Sequence, residues 1–191
     1  MDESDFISLL RNKNESGFKE LVDTYSNKVF NTVLGFVQNR EDAEDISQEV
    51  FIDVYRSVEN FKGDSKFSTW IYRIAVNKSL DHLKAKKRSK RFAFVQSLFS
   101  GEDTNLSTDV PHFEHPGVIL ENKEHAKVLF YAISKIPENQ RTAFTLHKVE
   151  GLNYTEISDI MEVSISSVES LMFRAKQNLK EILKNYYENN F

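Results

Sequence analysis

Two stretches of this sequence combine residue types that could act chemically on a partner. The first is acidic: Asp45, Glu49 and Ile52 recur at helical spacing, flanked by Gln48 and Asp53. Carboxylates so spaced share one helix face. That face could hold a divalent cation, meet a basic protein surface or simply face water. No histidine or cysteine converges on it in sequence, which weakens the metal reading. Ile52 amid the acids, with Phe51 beside it, favours a protein interface with an apolar centre and a charged rim. The second stretch, residues 61–91, interleaves Phe67, Trp70 and Tyr72 with Lys62, Lys66, Arg73 and Lys78. It ends in Lys84, Lys86, Lys87, Arg88, Lys90 and Arg91. Rings stack on unpaired bases at roughly 1–3 kcal/mol each while cations hold phosphates, so the pattern suits single-stranded nucleic acid. The competing reading makes the rings core residues and the lysine run a solvated face. Phe67 and Ile74 are assigned to the core on that ground, whereas the density of the basic run favours DNA.

The elements that position these residues follow from apolar periodicity. Phe18, Leu21, Val22, Tyr25, Val29, Val33, Phe36 and Val37 form one helical stripe; Ala43, Ile46, Val50, Val54 and Val58 form a second. A third, looser stripe runs through Trp70, Ile71, Ile74, Leu80 and Leu83. Residues 1–88 therefore read as an all-helical domain. Residues 89–120 lose the period and hold Ser100-Gly101-Glu102-Asp103 and His115-Pro116-Gly117, the signature of a flexible acidic linker. Residues 121–191 read as a second helical domain. Pro137 suits the first turn of a helix through about His147, with Gly151 closing it. Asn153 and Glu156 have capping-box spacing for a short helix to Met161, and Ser164 caps a long last helix bearing Ile165, Val168, Met172, Ala175 and Leu179. Two helices around a short turn have helix-turn-helix proportions, though an unrelated helical hairpin has the same outline. The expected fold is all-α: two small helical domains joined by a flexible linker.

Composition narrows the function classes. The 191 residues carry a net charge of −4, but the average hides blocks of opposite sign: −7 over residues 1–60, +8 over 61–91, −5 over 92–125 and zero thereafter. Adjacent blocks of this strength suggest partners of opposite charge. There are no cysteines, which excludes disulfides and thiolate metal sites. The acidic start Met1-Asp2-Glu3-Ser4-Asp5 is unlike a secretory signal, and no apolar run nears the ~20 residues of a membrane span. A cytoplasmic protein without membrane insertion is expected. No catalytic histidine, nucleophile or phosphate loop is evident, so neither an enzyme nor a cofactor is expected.

Three strings together resemble the extracytoplasmic-function sigma factors of bacterial RNA polymerase. They are Asp42-Ala43-Glu44-Asp45-Ile46-Ser47-Gln48-Glu49-Val50-Phe51, then Gly63-Asp64-Ser65-Lys66-Phe67-Ser68-Thr69-Trp70-Ile71-Tyr72-Arg73-Ile74-Ala75-Val76-Asn77, then Ile136-Pro137-Glu138-Asn139-Gln140-Arg141 with Glu150-Gly151-Leu152-Asn153-Tyr154-Thr155-Glu156-Ile157. The resemblance implies that Asp45, Gln48, Glu49, Ile52 and Asp53 contact the clamp helices of the polymerase largest subunit. It implies that Asn77 holds a flipped base of the −10 element, with Trp70 and Tyr72 nearby and Lys62, Lys66, Arg73 and Lys78 on phosphates. It further implies a −35 reader that docks near the polymerase flap, using Tyr154, Thr155, Ser166, Ser167, Glu169, Ser170 and Arg174, and an anti-sigma partner that covers these surfaces. The recognition helix departs from the family pattern of a small residue, Thr, Val, a basic residue, Ser and Arg. Here those positions read Ser166, Ser167, Val168, Glu169, Ser170 and Leu171, and His147 stands where an arginine is common. Glu169 could accept from cytosine N4 or merely lower non-specific affinity. A helix-turn-helix regulator of duplex DNA acting without polymerase is the alternative function.

Overall fold

The computed structural model describes residues 3–100 and 123–190. Among them every regular element is helical: α1 (Glu3–Arg11), α2 (Glu15–Val37), α3 (Arg40–Ser57), a 3-10 turn (Val58–Asn60) and α4 (Phe67–Ser100), then α5 (Lys123–Lys135), α6 (Glu138–Lys148), α7 (Tyr154–Met161) and α8 (Ile165–Asn190). Local chemistry explains the boundaries. The Asn14 and Asn39 side chains accept from the backbone N–H of Ser16 and Asp42, satisfying donors that the first turns of α2 and α3 leave unpaired. Gln38, in the left-handed region at φ 54°, closes α2 by donating its N–H to Leu34 O.

In the first half, α2, α3 and α4 bury the expected stripes against one another. Leu21, Val29, Val33, Phe36, Ala43, Ile46, Val50, Val54 and Val58 are all buried, while Phe18, Val22 and Tyr25 are packed half-exposed at the edge. Phe67 sits at the centre with no exposed surface, its ring edge-on to Phe6 and Phe61 at centroid distances of 5.6 and 5.3 Å. Ile74 packs half-buried on the same core, as expected of both. Helix α1 closes on α2 at Gly17, where a β-carbon would lie 2.9 Å from that of Leu9; only glycine permits that approach.

Helix α4 does not stop at residue 88. It runs to Ser100, twelve residues into the expected linker. The reason is local: Lys84, Lys86, Lys87, Arg88, Lys90 and Arg91 are good helix formers, and the next breaker is Gly101. Residues 101–120 of the expected linker lie outside the described residues.

In the second half, α6, α7 and α8 bury Ala143, Leu146, Ile157, Ile160, Val168, Met172, Ala175 and Leu179, with Phe130 and Ile133 from α5. Pro137 precedes α6 as its N-cap rather than sitting in the first turn, and its carbonyl accepts the Arg141 N–H at 2.9 Å. The capping box forms as expected: Asn153 accepts from Glu156 N at 3.0 Å while Glu156 accepts from Asn153 N at 3.1 Å. Glu162, left-handed at φ 55°, makes the turn, and the Ser164 hydroxyl accepts the Ser167 N–H at 3.2 Å to open α8.

The halves are in contact. Helix α2 meets α6, and α4 meets α7. Gly35 faces Thr145, whose Cγ2 would lie 2.9 Å from a β-carbon at residue 35, and the buried Gln38 amide donates to Phe130 O at 2.9 Å.

Candidate nucleic-acid interface

Helix α3 presents the acidic face. Asp45, Gln48, Glu49 and Ile52 are exposed, Ile52 at 45 %, and Asp53 is half-buried beside them. Phe51 is buried, because it sits one residue off this face and turns into the core. The interface reading therefore rests on Ile52 alone among the apolar residues. Lys78 of α4 reaches across to the same face, its ammonium 3.1 Å from Glu49 and 2.9 Å from Asp53. The hydrogen bond to Asp53 holds the Lys78 ammonium above the ordinary lysine range; partial burial opposes this and Glu49 adds to it. A second tie joins Asp42 to Lys86 at 2.8 Å. Burial works against ionising Asp42, but the Lys86 hydrogen bond and charge, with His82, outweigh it and keep the carboxyl below its usual value. Among the described residues no group of three or more His, Asp or Glu is placed to hold a metal.

Along α4 the expected strand-binding residues separate by environment. Asn77, Lys62 and Lys66 are exposed, and Arg73 and Lys78 are half-buried. Trp70 is also half-buried, its ring packed on Phe61 and Phe67 at 5.3 and 5.6 Å, so one side belongs to the core and the other is open. Tyr72 differs from expectation. It is 9 % exposed, and burial, with Glu150 and Glu156 nearby, pushes its hydroxyl up to about 12. Its ring is not open for stacking in this conformation. Tyr72 shares a helical face with Val76 and Ser79, which are buried too, and Glu150 and Glu156 of the second half lie within electrostatic reach.

The helix-turn-helix exposes Thr155, Ser166, Ser167, Glu169, Ser170 and Arg174. Tyr154 is half-buried edge-on to His147, with centroids 5.0 Å apart, and the His147 Nδ1 lies 2.8 Å from Leu152 O. His147 is thereby tied to the loop before α7. Leu171 is half-buried and packed on the core, so of the two departures in the recognition helix only Glu169 stands in the exposed row. Ile165, expected on the Val168-Met172-Ala175-Leu179 stripe, is instead 45 % exposed at the start of α8. Phe173, 63 % exposed and adjoining Arg174, escaped the sequence reading. It lies off that stripe, and a helical wheel of α8 would have placed it outside.

Three acidic residues outside every expected site also gather at the junction. Glu156 pairs with Lys66 at 3.3 Å and Glu162 with Arg73 at 2.7 Å, while Arg73 also donates to the backbone carbonyl of Asp159. Glu150 lies behind them, and burial, partly offset by a hydrogen bond from Thr32, raises its carboxyl to about 7.

Comparison with known proteins gives a consistent picture. Residues 21–89 match the family model for Sigma-70 region 2, and residues 127–179 that for Sigma-70, region 4. The RNA polymerase sigma-H factor of Pseudomonas aeruginosa is 32% identical over 182 residues, covering 93% of this chain and 92% of the relative. The ECF RNA polymerase sigma-E factor of Haemophilus influenzae is 33% identical over 174 residues, covering 91% of each. Among solved structures, CnrH in complex with the cytosolic domain of CnrY aligns with a TM-score of 0.67 at 18% identity, over 96% of this chain and 97% of that one. The sigma factor RpoE in complex with the anti-sigma factor NepR from Bartonella quintana aligns at 0.63 and 19% identity, over 87% and 96%. At such identities these two structures bear on the fold alone.

Proposed function

Because the chain belongs to the extracytoplasmic-function sigma factors of the Sigma-70 family, we propose that named faces of its two halves divide the work of promoter recognition. The chain is a transcription initiation factor that binds core RNA polymerase and directs it to promoters through −10 and −35 elements. In our reading, residues 1–88 are the polymerase-binding and −10 domain and residues 121–191 the −35 domain. Asp45, Gln48, Glu49, Ile52 and Asp53 meet the clamp helices of the largest subunit, Ile52 filling an apolar centre within the acidic rim. Asn77 takes a flipped base, since its amide both donates and accepts. Trp70 offers its open side to a neighbouring base, and Lys62, Lys66, Arg73 and Lys78 hold phosphates. Thr155, Ser166, Ser167, Glu169, Ser170 and Arg174 face the −35 duplex, with Tyr154 supporting them at the rim. Work on polymerase places the chain in the cytoplasm, and it contributes recognition rather than catalysis.

The observation that carries this reading is the edge where α3 meets α4. The exposed acidic face with Ile52 adjoins exposed Asn77, and Lys78 bridges the two through Glu49 and Asp53. Polymerase binding and strand reading thus share a border. Two solved relatives are complexes, one with the cytosolic domain of CnrY and one with the anti-sigma factor NepR. By analogy a protein of that kind covers these faces here and holds the factor inactive.

Two variants test the assignment. Glu49→Arg should abolish co-purification with core polymerase; retained binding would leave a regulator of duplex DNA acting without polymerase as the better account. Asn77→Ala should keep polymerase binding but lose permanganate reactivity of the −10 region, and an unchanged footprint would remove Asn77 from base reading.

A further inference from the structure

We infer that Glu169 and Phe173 form a specificity-determining pair within the −35 reader, the carboxylate taking a cytosine and the ring a thymine about two base steps away. The inference rests on the assignment of the exposed face of α8 to the −35 duplex, and it names the bases which that face selects. Two parallel rows on α8 fix the pair. Val168 and Met172 are buried at 0 % and 1 %, four residues apart and so on one face. The residue that follows each is turned by about 100° around the helix. The anchors that hold α8 against α6 and α7 therefore also set Glu169 and Phe173 in a single outward row. Ser170 and Arg174 form a second exposed row beside it. At 63 %, Phe173 is the most exposed large apolar side chain among the described residues.

The chemistry of the row selects particular base edges. An ionised carboxylate only accepts hydrogen bonds. In the major groove guanine presents N7 and O6 and thymine presents O4, all acceptors that repel it, and adenine sets its N7 acceptor beside its N6 donor. Cytosine presents the N4 donor with no acceptor next to it, so it is the base edge that suits Glu169. Backbone phosphates repel the carboxylate at every sequence, and only the cytosine contact offsets that repulsion. Glu169 thus acts as much by rejecting other bases as by holding its own. Phe173 has no hydrogen-bonding atom, and the apolar feature of the groove is the thymine methyl. Four residues advance about 6 Å along a helix, while base pairs stack at about 3.4 Å. A recognition helix lying in the groove therefore places the two side chains about two base pairs apart. Leu171 takes no part, because it packs on the core.

The test uses core polymerase loaded with the full chain and templates whose −35 segment is randomised. Sequencing of the transcribed templates should show cytosine enriched at one base pair and thymine about two pairs from it. In the selected duplex, deoxyuridine in place of that thymine removes only the methyl group. Wild-type holoenzyme should then bind about fourfold more weakly, the equivalent of ~0.8 kcal/mol per buried carbon at 1.4 kcal/mol per tenfold. Phe173→Ala should bind the two templates equally. Glu169→Gln, whose amide both donates and accepts, should move the preference at the first position from cytosine to adenine by about tenfold. Both positions are exposed, and surface substitutions leave folding nearly unchanged. Retained cytosine selection by Glu169→Gln, or an equal methyl effect in wild type and Phe173→Ala, would overturn the pair. Weaker polymerase binding by Phe173→Ala with unaltered base selection would overturn it as well, by placing the ring on protein. Arg174→Ala separates the pair from the reading beneath it. Absence of −35 selection in the wild type and in that variant alike would sink the −35 assignment. Selection that depends on Arg174 but is indifferent to Glu169 and Phe173 would sink the pair alone.

Discussion

Glu150→Gln is the substitution whose effect the structure specifies most fully. The carboxylate lies just after α6, with one oxygen buried and lacking a hydrogen-bond partner, near Thr32 of α2 and Tyr72 of α4. Burial raises its carboxyl from 4.5 to about 7, against a weaker opposing hydrogen bond from Thr32. A folded pKa above the unfolded one means that between these values the native state binds more protons, so stability falls as pH rises. The loss begins near pH 4.5 and is complete above about pH 7. At 1.36 kcal/mol per unit, the full penalty is at most about 3 kcal/mol. Glutamine preserves the size and the acceptor for Thr32 but never ionises. Denaturant unfolding followed by circular dichroism at pH 4, 5, 6, 7 and 8 should give nearly equal stabilities for the two proteins at pH 4. The variant should gain progressively, by up to ~3 kcal/mol at pH 8, or up to about 10 °C in melting temperature. Other titrating groups, including the five histidines, affect both proteins alike and cancel in the difference. A difference that stays constant across this range, or a variant less stable at pH 8, would refute the buried-carboxylate account.

Two further substitutions probe the scaffold. Phe67→Ala removes a ring with no exposed surface at the centre of the first half, so stability should fall by about 3–5 kcal/mol. Trp70, which packs on that ring and is the sole tryptophan, should report the loss as a red-shifted emission; an unshifted, equally stable variant would contradict the packing. Asn153→Ala deletes the cap of α7 and should cost about 1 kcal/mol, read as a lower denaturation midpoint and weaker binding of a −35 duplex. No change in either would mean that the capping box contributes nothing to holding the helix-turn-helix.

Much of this molecule was determined by the sequence alone, because the interactions involved are short in range. Helical stripes span residues three and four apart, and caps such as Asn153 with Glu156 join residues three apart, so helix positions and the all-α architecture follow from spacing. The matching strings made the family legible for the same reason. Helix α4 continues past residue 88 because irregular apolar spacing does not end a helix that contains no breaker. What the tertiary structure alone decided is which polar and aromatic residues remain available. Lys66 and Arg73 meet partners 86 to 90 positions away, and Glu150 of the second half is desolvated beside Thr32 of the first. No local periodicity encodes a contact of that separation. Packing within the second half turns Leu171 toward the core and leaves Glu169 in the exposed row, so the divergent −35 face is narrower than the string of letters implied. Sequence specified the helices and the family; the closure of one half on the other decided which of their residues a promoter would find free.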